Sequence, residues 1–217
     1  MPIQNAFTPL RMIFWGGLLC VFDLTFSSTS SFNGRGATGF QFDILNDFVG
    51  MLLITIGVSR LSRFAIDQRY LSAIRFVYVI CILCSIEVFL DHFIFPRPIP
   101  LVLILNLLGL ASLVATIWFC VCMRRLSIAY GMQQSAQSWV TTQWLVVSIW
   151  AIPLGLLYIA GIIAMVTGDS FHFNVGLFIV PIILVMVVPL LHLFISTSRM
   201  RREASLHSGT APNGIRN

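Results

Sequence analysis

A chain of 217 residues with 58% hydrophobic and 10% charged side chains lies outside the range of soluble globular domains. Its mean hydropathy of +0.92 requires most side chains to face lipid or other apolar helices, so composition predicts an integral membrane protein. The net charge of +5 comes from arginines scattered between apolar runs and not from one patch, which excludes a nucleic-acid footprint. All thirteen basic residues are arginine, and the lack of lysine excludes Schiff-base and catalytic-lysine chemistry.

Taken in order, Leu10–Phe26 is the first apolar run. It has the length of a signal peptide, but no small-x-small cleavage site follows closely and Asp23 interrupts its far end. It therefore reads as a retained transmembrane helix. Ser27–Gln41, rich in Ser, Thr, Gly and Asn, reads as a loop. The second helix covers Ile44–Leu61, and Ser62–Arg75 is a polar connection. The third helix, Phe76–Phe93, ends before the stiff turn Phe95–Pro100, whose prolines cannot continue it.

Pro100–Cys122 is the fourth span, and Met123–Ser138 reads as a polar, arginine-bearing loop. The fifth span covers Trp144–Val166, with Trp139 and Trp144 placed as interfacial anchors. Val175–Ile195 is the sixth. Each run approaches the ~20 residues needed to cross a ~30 Å hydrocarbon core. The predicted fold is an all-α, six-helix transmembrane bundle over residues 1–198, followed by a disordered, basic cytoplasmic tail over 199–217. With both termini cytoplasmic, eleven arginines fall on inner segments and only Arg35 and Arg97 outside, as the positive-inside rule requires.

The five cysteines all lie in apolar runs, and Cys81 and Cys84 have C-x-x-C spacing without a second pair, so small apolar packing outweighs redox chemistry. The segment Phe42–Phe64 organises the rest. On a helical 3–4 spacing, Asp43, Asp47, Gly50, Ile54, Gly57 and Leu61 share one stripe, acidic at one end and small along much of its length. Gly16, Cys20 and Asp23 form a matching stripe on the first helix, and Cys84, Glu87 and Asp91 on the third. Gly16, Gly50, Gly57 and Cys84 are thus candidates for close helix packing.

Counted from the inner arginines, Asp23 is twelve residues from Arg11, Glu87 twelve from Arg75 and Asp47 thirteen from Arg60. At ~1.5 Å per residue all three stand ~18–20 Å above the inner boundary, with Asp43 and Asp91 a turn higher. Asp23, Asp43, Asp47, Glu87 and Asp91 are therefore candidates for a cation or proton site, because charge inside a membrane pairs or faces water and adjacent carboxylates cannot all ionise cheaply. The plainer reading makes Asp43 and Asp47 caps of the second helix and pairs Asp91 with Arg97 or Arg35. His92, His172 and His192 lack metal-ligand spacing, and His192 reads as an interfacial side chain. No P-loop, G-x-S-x-G or dinucleotide fingerprint is present.

The run Asp43-Ile-Leu-Asn-Asp47-Phe-Val-Gly50, followed by Gly57 and Leu61, resembles an uncharacterised family of small bacterial multi-pass membrane proteins. The second helix of that family opens with D-I-L-P-D-F-x-G; here Asn46 replaces the proline. The likeness covers about the first 95 residues. It implies a bacterial inner-membrane protein and carries no activity. Together these readings favour a small transporter or cation- or proton-binding membrane protein, with a structural or accessory subunit as the alternative. No nucleophile–base pair marks an enzyme, and neither cofactor nor metal is expected. The lipid bilayer is the expected partner; nucleic acid is not, and a homo-oligomer or a membrane partner stays compatible.

Overall fold

Within a bilayer no water satisfies backbone N–H and C=O groups, so an apolar run that crosses it must bond to itself as a helix or close as a barrel. The computed structural model, which describes residues 3–21, 25–30, 38–43, 47–64, 66–91, 99–167 and 179–209, adopts the helical solution. After a 3₁₀ turn at Ile3–Ala6 come α1 (Phe7–Val21), α2 (Asp47–Leu61), α3 (Gln68–Asp91) and α4 (Ile99–Ala129). Then follow α5 (Gln133–Leu145), a π-helical turn (Val146–Ala151), α6 (Ile152–Thr167) and α7 (Ile179–Gly209). Because α5, the π turn and α6 run on without a break, the described residues form six helical rods.

Four of these are long and apolar enough to cross a membrane: Gln68–Leu90, Pro100–Ala129, Gln133–Ala164 and Leu184–Leu206. The protein is a membrane protein of all-α type. Its large exposed side chains agree: Leu83, Ile86, Ile104, Leu107, Leu156, Ile163 and Leu184 are all open to the surroundings. In water such a surface would drive aggregation, whereas in lipid it is the expected exterior.

The reading of Ser27–Gln41 as a loop is corrected. Thr25–Ser30 (β1) and Thr38–Asp43 (β2) pair antiparallel, in a register from Thr25 opposite Asp43 to Ser30 opposite Thr38. Alternation of Phe40 and Phe42 with polar neighbours suits an extended strand. Asp43 accordingly belongs to β2 and leaves the helical stripe to which it was assigned.

Helices also run further than their apolar cores. The expected loop Met123–Ser138 is helical except for the turn at Tyr130–Met132. Gly131 ends α4 with a φ of +73°, a conformation that costs glycine nothing. Its N–H donates to Ile128 O (3.0 Å) and that of Met132 to Ser127 O (2.9 Å), the paired bonds of a Schellman cap. At the other connection Asp67 is the N-cap of α3, accepting from the Tyr70 N–H, and the Tyr70 hydroxyl donates to Leu61 O at 2.9 Å to close the end of α2. Helix α3 thereby starts at Gln68, inside the expected connection.

The expected disordered tail is corrected as well, since α7 continues through Gly209 while 210–217 lie outside the described residues. Tertiary packing explains the extension: Met200 and Ala204 are buried in the core. That core is concentrated at the arginine-rich end, around Leu10, Leu61, Tyr70, Met123, Leu126, Met132 and Trp139. Trp139, expected as an interfacial anchor, is fully buried and meets Phe119 edge-on at 6.0 Å, whereas Trp144 is 66% exposed.

Candidate functional site

Two glycines set the approach of α1 and α2. A Cβ on Gly16 would lie 2.5 Å from Gly50 O, and one on Gly50 would lie 2.8 Å from Gly16 O and 2.6 Å from Cys20 Sγ. One turn pair further, a Cβ on Gly57 would sit 2.8 Å from Pro9 O. Backbone thus rests on backbone along this seam, the geometry that small residues permit in lipid. At its upper end Cys20 Sγ stands 3.9 Å from Asp47 O, so α2 opens with Asp47 beside α1.

The other flank of α2 meets α3. Thr55 Oγ1 donates to Met51 O and lies 3.0 Å from Ser85 Oγ, which itself donates to Cys81 O. Phe48 and Phe89 meet at 5.6 Å. Glu87, half-buried, falls between Ser85 and Phe89 in sequence, so Asp47 and Glu87 lie on adjoining helices about one turn apart in depth. From α6, Tyr158 packs its ring on Gly109 of α4, where a Cβ would come within 2.5 Å of the ring. Glu87 and Cys84 are both within electrostatic reach of Tyr158.

Among the sequence-predicted carboxylates, Asp47 opens α2 on the stripe that faces α1, whereas Glu87 lies on the side of α3 away from Ser85 and Phe89, the residues that meet α2. Asp43 is on β2 and Asp91 ends α3; Asp23, with His92 and His172, lies outside the described residues. Gly16, Gly50 and Gly57 line the α1–α2 seam, and Cys84 packs against the core. No group of three or more His, Cys, Asp or Glu that could hold a metal occurs among the described residues.

A second polar cluster joins α5 to α7 near the arginine-rich end. Thr142 Oγ1 lies 2.9 Å from His192 Nδ1 and 2.8 Å from Ser196 Oγ, and Ser138 Oγ lies 2.8 Å from Ser196 Oγ. Thr142 also reaches Ser138 O at 3.1 Å, and a carbonyl can only accept, so the threonine proton goes there. With the proton in that position, Ser196 donates to Thr142, Ser138 donates to Ser196 and an Nδ1–H of His192 donates to Thr142. Ser196 Oγ also lies 3.4 Å from His192 Nδ1, so the four side chains form one continuous polar cluster. Sequence reading made His192 merely interfacial. The signal available was Ser138/Thr142 and His192/Ser196, two i,i+4 polar pairs on otherwise apolar helices.

At the arginine-rich surface, Arg125 Nη1 contacts Asp67 Oδ2 at 3.2 Å. The Tyr70 N–H, and secondarily Arg125, hold the Asp67 carboxyl below its ordinary range. No known family model, characterised protein or solved structure matches this chain.

Proposed function

We propose that this membrane protein binds a proton or a small cation through intramembrane carboxylates, with Asp47 and Glu87 as the central pair and Asp23 and Asp91 as contributors. The observation that carries the reading is the position of Glu87. It is an acid within a membrane-length helix, half-buried and about one turn from the level of Asp47. A carboxylate in lipid is costly unless protonated, paired or open to water, and intramembrane acids mark ion and proton pathways. The glycine-lined seam behind Asp47 fixes its backbone.

In the same reading both termini are cytoplasmic, as the arginine distribution requires, and the carboxylates open towards the outside. Reporter fusions at Asp67 and Gln133 that read as external would reverse that orientation. The likeness of Asp43–Gly50 to the D-I-L-P-D-F-x-G pattern is the basis for assigning the protein to a bacterial inner membrane.

The test is thermal stability of the purified protein, across pH and added monovalent and divalent cations, for wild type, Asp47→Asn and Glu87→Gln. Both variants keep size and hydrogen-bonding capacity and lose one charge. The wild type should show a pH- or cation-dependent shift that both variants lack. An identical response in all three proteins would remove the site.

A further inference from the structure

At the arginine-rich end a cavity of about 430 Å³ opens between the start of α3 and the last turns of α4. Its polar lining is Arg124, Arg125 and Asp67; Ile66, Val121 and Ile128 supply its apolar walls. The two arginines differ. Arg125 is committed to Asp67 at 3.2 Å, which cancels the single acid in the lining. Arg124 is exposed and makes no ion pair among the described residues. The cavity therefore holds one uncompensated guanidinium, with five N–H donors in a fork that suits phosphate oxygens. Its apolar part lies alongside Val121 and Ile128, on the α4 face within the membrane-length segment Pro100–Ala129.

We infer that this cavity is a binding site for an anionic phospholipid, with the headgroup phosphate on Arg124 and an acyl chain along Val121 and Ile128. The occupant follows from both halves of the lining. A soluble anion would use the guanidinium and leave the apolar wall wet; a zwitterionic lipid would fill the wall but bring its own cation to an arginine. Only a lipid with net negative charge satisfies both. The position, where a long helix leaves the hydrocarbon, is where headgroups reside, and basic pockets between helices at that level suit acidic headgroups. Asp67 acts here as a positioning residue: it fixes Arg125 at the rim and caps α3, leaving Arg124 to bind.

The experiment titrates the detergent-purified full chain with phosphatidylglycerol, with phosphatidylcholine and with inorganic phosphate, reading bound lipid by native mass spectrometry and the unfolding midpoint in parallel. Wild type should bind phosphatidylglycerol in preference to phosphatidylcholine and raise its midpoint with it, while inorganic phosphate at equal concentration gives no shift. Arg124→Gln should weaken phosphatidylglycerol binding about fivefold, the loss of roughly one basic contact near a headgroup. Arg124→Lys should restore part of it, and Arg202→Gln, which removes the same charge from exposed α7, should change nothing. Equal binding of the two lipids, an equal loss in Arg202→Gln, or an unchanged Arg124→Gln would overturn the assignment. A full response to inorganic phosphate would overturn it too, by showing an anion site without a lipid component. Should Arg124→Gln fail to fold, Val121→Asn decides between the outcomes: reduced lipid binding supports the site and unchanged binding overturns it.

Discussion

Ser135 gives both its backbone N–H and its hydroxyl to one oxygen of the Glu203 carboxylate, at 2.9 and 2.6 Å. The other oxygen accepts from the Gln134 N–H at 3.3 Å. Helix α5 has no side-chain cap of its own at Met132, so its first free N–H groups are satisfied across space by α7. A carboxylate also meets the positive end of the helix dipole there. This contact explains why α7 stays helical past the apolar segment: its last turns carry the cap of another helix.

Glu203→Ala should therefore destabilise the bundle by about 1–2 kcal/mol, the usual scale for a lost N-cap with a charged acceptor. Glu203→Gln, which keeps one acceptor oxygen, should lose less. Chemical unfolding in mild detergent reads the difference. Equal stability of Glu203→Ala and wild type would mean that water replaces the carboxylate without cost.

The glycine seam gives a steeper expectation. Gly50→Leu must displace the α1 backbone at Gly16 and the side chain of Cys20, and overpacking of this kind costs about 1–3 kcal/mol or more. Gly131→Leu is a different case, because nothing lies within 4 Å of a Cβ there and only its positive φ is strained. Thermal midpoints of the two variants should both fall. Loss of α1–α2 proximity, read by crosslinking between cysteines placed at Ile13 and Ile54, which both line the seam, should appear only for Gly50→Leu. A Gly50→Leu protein with an unchanged midpoint would contradict the close backbone contact.

Asp67 sets a pH dependence whose sign follows from its partners. Its folded carboxyl is held below the ordinary value of 3.8, first by the Tyr70 N–H and then by Arg125. A depressed folded value means that the stabilisation is present above the unfolded value and is lost as pH falls through the folded one. The stability difference between wild type and Asp67→Asn should thus be constant at neutral pH and shrink below about pH 4. Asparagine still caps the helix, so the comparison isolates the charge. A difference that does not change from pH 7 to pH 3 would assign the role to hydrogen bonding alone.

How much of this was legible beforehand depends on what kind of force decides each element. The six rods were legible because long apolar runs and prolines dominate local structure, and Gly16, Gly50 and Gly57 because small residues recurred at helical spacing. The helix ends were not. Gly131, Asp67 and Glu203 extend α4, α3 and α5 through caps, two of them local and one drawn from 68 residues away in sequence. The hairpin was missed because its strands are mostly Ser, Thr and Gly, which also spell a loop. Trp139 was misread because an aromatic near a span end looks the same whether it faces headgroups or Phe119. For the candidate site, the sequence points to Asp47 and Glu87 as candidates and carries no sign of the packing of Tyr158, which depends on Gly109 of the neighbouring rod α4.

The π turn at Val146–Ala151 bears on how this protein can vary. There the Ile152 N–H bonds to Val147 O, five residues back, and Pro153, which has no N–H to give, follows at once. A wide turn accommodates one residue more than a regular helix, so it offsets by about 100° the faces presented before and after it. Before it, Ser138 and Thr142 address α7; after it, Tyr158 addresses Gly109, with Gly155 and Gly161 on the same side. Removal of one residue from this turn would barely alter hydropathy or span length, yet it would swing Tyr158 out of the bundle and into the acyl chains. The tolerance of this rod to mutation is thus set by angular register more than by side-chain identity: apolar substitutions pass, and a single-codon deletion does not.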